Sequence, residues 1–71
     1  MESLLTIRDV AATLRLSQRA VWSMLSSGRF GPEVIRLGRS VRIRSGELSD
    51  WVLAGCPNRV DWQAQRGEAV P

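Results

Sequence analysis

Arginines crowd into residues 34–44, which read VIRLGRSVRIR and contain four of them. No Asp or Glu lies inside this stretch to pair with them. A guanidinium group is always protonated, and its planar set of donors matches both phosphate and the edge of guanine. The chemistry that this stretch indicates is therefore recognition of a polyanion.

The charge of the whole chain is divided unevenly. All ten cations among the 71 residues are arginines, and seven acids oppose them. Residues 1–46 hold eight arginines and three acids, a net charge of +5, whereas residues 47–71 hold two arginines and four acids, a net charge of −2. A GC-rich genome would explain arginine in place of lysine, but not this clustering. A basic half on a small domain indicates a polyanionic partner.

Residues that catalysis and metal binding need are scarce. The chain has no histidine or tyrosine, and its single cysteine, Cys56, has no base near it in the sequence. We therefore expect no disulfide, no metal site, no cofactor and no enzymatic activity. With no signal peptide and no apolar run approaching about 20 residues, we expect a cytoplasmic protein that does not enter a membrane.

Two short helices with a tight connection are predicted near the start of the chain. Thr6 and Asp9 have the spacing of a capping box and begin a helix over about 7–14. Ser17 is the expected N-cap of a second helix over about 18–27. A connection of about three residues between two helices is typical of a helix-turn-helix.

A hairpin is predicted next, with strands at about 34–37 and 41–44 and a turn at Gly38-Arg39-Ser40. Strand alternation would separate an apolar face from an arginine face. The expected apolar face consists of Ile35, Leu37, Val41 and Ile43. The expected arginine face consists of Arg36, Arg42 and Arg44, with Arg39 at the tip. Because two isolated strands are marginal in water, the apolar face should rest on the helices.

The rest of the chain is expected to complete the core. Ser45 is the predicted cap of a third helix over about 46–53, and Trp51 is the predicted core anchor of that helix. The DNA-binding domain would then occupy residues 1–55. Residues 56–71 would form a short helix carrying Trp62, followed by an end that frays over residues 66–71.

A helix-turn-helix followed by a hairpin with an arginine tip is the layout of a winged helix-turn-helix, mostly α with a two-stranded β wing. An α-helix fits the DNA major groove, where its N-terminal residues meet base edges. Arg19 can pair with guanine and Gln18 with adenine, while wing arginines can contact phosphate or the minor groove. The residues predicted to contact double-stranded DNA are Ser17, Gln18, Arg19, Trp22, Ser23, Arg36, Arg39, Arg42 and Arg44.

Other roles remain open for several arginines. Arg42 or Arg44 could instead form a structural ion pair with Glu47 or Asp50. Ordinary surface charge is the preferred interpretation for the two arginines of the first helix, Arg8 and Arg15.

A second class of function is also open. An exposed tryptophan is a good anchor for a protein partner. Trp22, together with Trp62 in the C-terminal segment, could therefore make the chain a protein-interaction module.

The stretches LLTIRDVAATLRLSQRAVWSMLSSGRF and VIRLGRSVRIRSGELSDWV resemble the small phage and plasmid DNA-binding proteins of the AlpA and excisionase type, which are cousins of the MerR-like domains. The resemblance covers about residues 4–53. One departure is Gly31 before Pro32, where that family commonly has Phe-Pro or Leu-Pro directly.

This resemblance implies sequence-specific binding of duplex DNA without catalysis. Proteins of this type regulate promoters of mobile-element genes, or act as recombination directionality factors that bend attachment-site DNA. The implied partners are DNA, an integrase, and further copies of the chain on tandem sites.

Overall fold

Four helices and a small antiparallel sheet make up the described part of the chain, residues 3–67 of a computed structural model. The elements are β1 (Leu4–Leu5), α1 (Ile7–Leu14), α2 (Gln18–Ser27), β2 (Val34–Leu37), β3 (Ser40–Arg44), α3 (Ser45–Leu53) and α4 (Arg59–Gly67). The strand order is β1-β3-β2. The predicted winged helix-turn-helix is confirmed, with β1 as an additional strand. No helix within residues 3–67 is long and apolar enough to span a bilayer.

The helices α1 and α2 begin at the predicted residues, and side-chain hydrogen bonds cap both of their N-termini. The Thr6 hydroxyl accepts from the Asp9 backbone N–H at 3.0 Å, and the Asp9 carboxylate accepts from the Thr6 N–H at 3.0 Å. The Ser17 hydroxyl accepts from the Ala20 N–H at 3.0 Å. Between the helices, Arg15 adopts a left-handed conformation with φ of 58°, which ends α1 and turns the chain into α2.

The edge strand β1 changes the role of one predicted cap. Leu4 and Leu5 pair with Arg44 and Ile43 of β3. One step further, the Ser45 N–H donates to the Ser3 carbonyl at 2.8 Å, and the Ser45 hydroxyl accepts from the Ser3 N–H at 2.9 Å. The prediction that Ser45 caps α3 is therefore wrong, because its hydroxyl is engaged by the segment leading into β1.

The register of the hairpin corrects the predicted faces. The turn contains two residues, with φ of 62° at Gly38, and Ser40 is already in β3, opposite Leu37. Opposite residues share a face of the sheet, so Arg36 lies with Val41. Counting Ser40 in the turn had shifted the partner of every β2 residue by one position, which exchanges the two faces of that strand. The core-facing side carries Val34, Arg36, Val41 and Ile43, and the outer side carries Ile35, Leu37, Arg42 and Arg44.

Two aromatic rings form the centre of the core. Phe30 and Trp51 are fully buried, with ring centroids 5.1 Å apart, which confirms the predicted role of Trp51. The Trp51 indole N–H donates to the Pro57 carbonyl at 2.7 Å. Gly31 lies directly against this indole, since a Cβ added there would be 2.5 Å from Trp51 Nε1.

A buried carboxylate joins α4 to the rest of the fold. Glu47 Oε2 accepts hydrogen bonds from the Glu33 backbone N–H at 2.9 Å and the Trp62 indole N–H at 3.0 Å, and it forms an ion pair with Arg66 Nη1 at 3.0 Å. Trp62 is itself part of the buried core. The sequence predicts that the chain frays from residue 66 onward. The described helix continues through Gly67, and residues 68–71 lie outside the described residues.

We expect Glu47→Gln to lower the free energy of unfolding by about 1.5–3 kcal/mol, because a neutral amide replaces a buried charged acceptor. Asp50→Asn makes the same chemical change at an exposed position of the same helix, where the effect should stay within about 0.5 kcal/mol. Urea unfolding of both variants measures the difference. Equal losses would contradict a special role for the buried carboxylate.

Candidate nucleic-acid interface

The two sides of α2 differ sharply. Val21 is buried, and Met24 and Leu25 pack against the core. The exposed side begins at the capped N-terminus and contains only polar side chains and one aromatic ring. All five α2-region residues predicted to contact DNA are exposed, namely Ser17, Gln18, Arg19, Trp22 and Ser23.

A shallow groove of about 260 Å³ connects this side of α2 with the hairpin. Its lining comes from the start of α1, from α2 and from the hairpin: Thr6, Ile7, Arg8, Gln18, Trp22, Arg39, Val41 and Arg42. Gln18 of α2 therefore lies on the same surface as Arg39 and Arg42. Among the predicted contact residues of α2, the ones outside this lining are Ser17, Arg19 and Ser23, which lie on the exposed side of the helix.

Trp22 lies between two depressions. Its side chain is 48% exposed, and it lines both the groove described above and a second depression of about 290 Å³ that includes Arg36. Arg36 and Arg42 were predicted on one face of the hairpin. They instead lie on opposite faces, in depressions that share Trp22 and Val41.

Arg44 belongs to a structural ion pair. Its Nη1 lies 2.8 Å from Glu33 Oε1 and 4.0 Å from Glu47 Oε1. The Glu47 alternative considered for this arginine is therefore present, together with a shorter contact to Glu33 that no sequence pattern predicted. Arg44 does not line the groove that contains Arg39 and Arg42.

The remaining predicted arginines are differently placed. Arg42 Nη1 donates to the Val41 carbonyl at 2.8 Å, which fixes its side chain against the strand. Arg19, Arg36 and Arg39 are exposed, and none of them forms an ion pair with an acid within residues 3–67. A phosphate can approach these three guanidinium groups without breaking an existing ion pair.

Arg8 is the residue that sequence reasoning undervalued. The periodicity of α1 placed it away from the core, but no local pattern indicated which element lay beside it. In the structure it lines the groove with Gln18 and Arg42. Its neighbour Asp9 accepts a hydrogen bond from the Thr6 backbone N–H, and that bond holds the pKa of Asp9 below its ordinary value. The charges of Arg8 and Arg42 lower this pKa further.

The protein-interaction alternative loses one of its two anchors. Trp62 is only 6% exposed, and its indole N–H is bonded to Glu47. The prediction that Trp62 is available to a partner is therefore wrong, because α4 folds this ring into the core. Trp22 remains exposed, but it lies in the basic groove.

Comparison with known proteins agrees with the architecture. The model of the helix-turn-helix domain family matches residues 4–55, from β1 to just beyond α3, and leaves α4 outside the match. Neither a search of curated proteins nor a search of solved structures gave a match. The match covers the capped helix pair, the hairpin and the helix that carries Trp51.

The capping box should make stability depend on pH. Because the folded-state pKa of Asp9 lies below its unfolded value of about 3.9, the stabilising contribution of its carboxylate is fully present above that value. It is lost as the pH falls through the lower folded pKa. We expect Asp9→Asn to flatten the acid side of the plot of unfolding free energy against pH.

Urea unfolding at a series of pH values measures this plot. Asp50→Asn is the control, since it removes an exposed acid outside the capping box. An acid slope that flattens by the same amount in both variants would be inconsistent with the capping role of Asp9.

Proposed function

This chain belongs to the helix-turn-helix domain family, and we propose that it binds specific sites in double-stranded DNA through α2 and the β2-β3 hairpin together. One observation carries the proposal: Gln18 and Trp22 of α2 share a groove with Arg39 and Arg42 of the hairpin. A single duplex laid across this groove meets both elements. Neither element needs to move for this contact.

In the proposed complex, the N-terminal half of α2 enters the major groove. Arg19 donates to the O6 and N7 atoms of a guanine, and Gln18 pairs with an adenine. Ser17 and Ser23 are small enough to let the helix approach the bases closely. The N-terminus of α2 also offers its first backbone amides and the positive end of the helix dipole to a phosphate.

The hairpin supplies the sequence-independent part of the affinity. Arg39 at the tip and Arg42 contact phosphate or the neighbouring minor groove, and Arg36 contacts the backbone on the other side of Trp22. Arg8 adds a cation at the start of α1. We assign Arg44 to holding the hairpin through Glu33 rather than to DNA, which revises its predicted role.

The proposed biological role is that of a small mobile-element regulator or an excisionase of the AlpA type, acting on DNA in the cytoplasm. One recognition helix and one wing bury little surface, so a single copy should bind weakly. Neighbouring copies on tandem sites or an integrase would supply the missing affinity. An integrase gene next to the coding gene, and excision that needs both proteins, would favour the excisionase role over promoter control.

Substitution of Arg19 and of the wing arginines should have different signatures. On a site selected from random duplexes, Arg19→Ala should cost about 1–3 kcal/mol and leave binding to a scrambled duplex unchanged, because only base reading is lost. Arg39→Ala combined with Arg42→Ala should weaken binding to both duplexes. Fluorescence anisotropy measures each affinity.

The salt dependence provides the second measurement. If about four to six phosphates are engaged, log K should fall against log salt with a slope of roughly −4 to −5. Each lost phosphate contact should reduce this slope by about 1. Arg29→Ala removes the same charge as Arg39→Ala at an exposed position outside the groove. Binding that does not depend on salt, or equal losses in these two single variants, would rule out the proposed interface.

A further inference from the structure

We propose that α4 holds the DNA-reading helix α2 at a fixed angle to the hairpin, and that Arg59 is the positioning residue that does so. This inference rests on the proposed function and extends it. It makes the sequence specificity of the protein depend on a side chain that is bonded to the end of α2 opposite the base-reading residues. The helix concerned lies outside the segment matched by the family model.

Arg59 binds the C-terminal end of α2. Its Nη2 donates to the Leu25 carbonyl at 3.0 Å, its Nε to the Phe30 carbonyl at 3.3 Å, and its backbone N–H to the Gly28 carbonyl at 2.9 Å. The last carbonyls of a helix lack intrahelical partners, and the negative end of the helix dipole favours a cation. The last turn of α2 contains no basic residue of its own. Arg59 supplies that cation from a position 34 residues beyond Leu25.

Two further residues of α4 are joined to Glu47 of α3. The Trp62 indole N–H donates to Glu47 Oε2 and Arg66 forms an ion pair with it, while the Glu33 backbone N–H donates to the same oxygen. Glu33 directly precedes β2, and its side chain forms the 2.8 Å ion pair with Arg44 of β3. The guanidinium of Arg66 also lies 5.7 Å from the centre of the Trp62 ring. The helix α4 is therefore joined directly to the end of α2 and, through Glu47 of α3, to the residue that precedes β2.

Arg59 lines the depression that contains Trp22 and Arg36, but its guanidinium donates to the carbonyls of Leu25 and Phe30. It is half-buried at the C-terminal end of α2, whereas base reading is assigned to the N-terminal end. A helix of ten residues is about 15 Å long, so a small tilt at one end displaces the other. Base-edge hydrogen bonds require distances of about 2.7–3.2 Å. Release of the C-terminal end should therefore weaken base reading more than contacts to phosphate, which a bridging water can restore.

The test uses the full chain with Arg59→Ala, Arg59→Lys and the control Arg29→Ala. Arg29 is also an arginine next to the end of α2, but its side chain is exposed. Binding to the selected duplex and to a scrambled duplex is measured over a range of salt concentrations, at a temperature where circular dichroism shows each variant folded. Amide hydrogen exchange in the last turn of α2 is measured on the free protein.

We expect Arg59→Ala to bind the selected site about tenfold more weakly, with unchanged binding to the scrambled duplex and an unchanged salt slope. Exchange in the last turn of α2 should become faster. Arg59→Lys should show a smaller loss of affinity for the selected site, because an ammonium can still donate to one carbonyl. If the alanine variant is unfolded, the lysine variant is used for the test in its place. Arg29→Ala should match the unsubstituted protein in specificity and in exchange.

Two results would overturn the inference. Equal losses on both duplexes with a salt slope smaller by about 1 would make Arg59 a phosphate contact. Unchanged affinities in the folded variants would reduce its role to stability. If the unsubstituted protein binds no duplex, the proposed function fails. The exchange measurement then still tests whether Arg59 holds the end of α2: faster exchange in the last turn of α2 in Arg59→Ala supports this role, and unchanged exchange rejects it.

Discussion

A single buried oxygen atom, Glu47 Oε2, is the point at which distant parts of the chain are joined. It accepts hydrogen bonds from the residue before β2 and from Trp62 of α4, and it forms an ion pair with Arg66 of α4. A charge removed from water costs several kcal/mol unless it is paired and hydrogen-bonded. The three partners must therefore be in place together, so the segment before β2, α3 and α4 depend on one another. The described core is small, and this shared requirement couples the elements that surround it.

The two-residue turn at Gly38 decides how the arginines are presented. A hairpin with all its arginines on one face would offer a flat cationic sheet. The observed register instead places Arg36 and Arg42 on opposite faces, with Arg39 at the tip. The cations therefore lie on both sides of Trp22, in the two depressions that this residue lines beside α2. Arg44 forms an ion pair with Glu33 instead. An acid near the hairpin therefore determines which of the hairpin arginines are available to a partner.

Prediction from the sequence worked where the deciding contacts are close along the chain. The Thr6–Asp9 capping box and the Ser17 cap each span three residues, and a local pattern suffices to find them. Strand β1, the Trp62–Glu47 bond and the Arg59–Leu25 bond join residues separated by 15 to 40 positions. The periodicity of apolar residues along the sequence does not indicate which distant residues form such pairs. The prediction of the two faces of β2 was wrong for another reason. The sequence Gly38-Arg39-Ser40 fits a turn of two or of three residues, and only packing against the rest of the fold selects between these two turn lengths.

Gly31 limits how the sequence of this protein can change. A side chain at this position and the present orientation of the Trp51 indole exclude each other, because the added Cβ would be 2.5 Å from one indole atom and 2.9 Å from the Cβ of Trp62. That orientation is held by the Pro57 carbonyl, in the segment that leads to α4. A substitution of Gly31 therefore requires a change in the segment that holds the Trp51 indole and leads to α4.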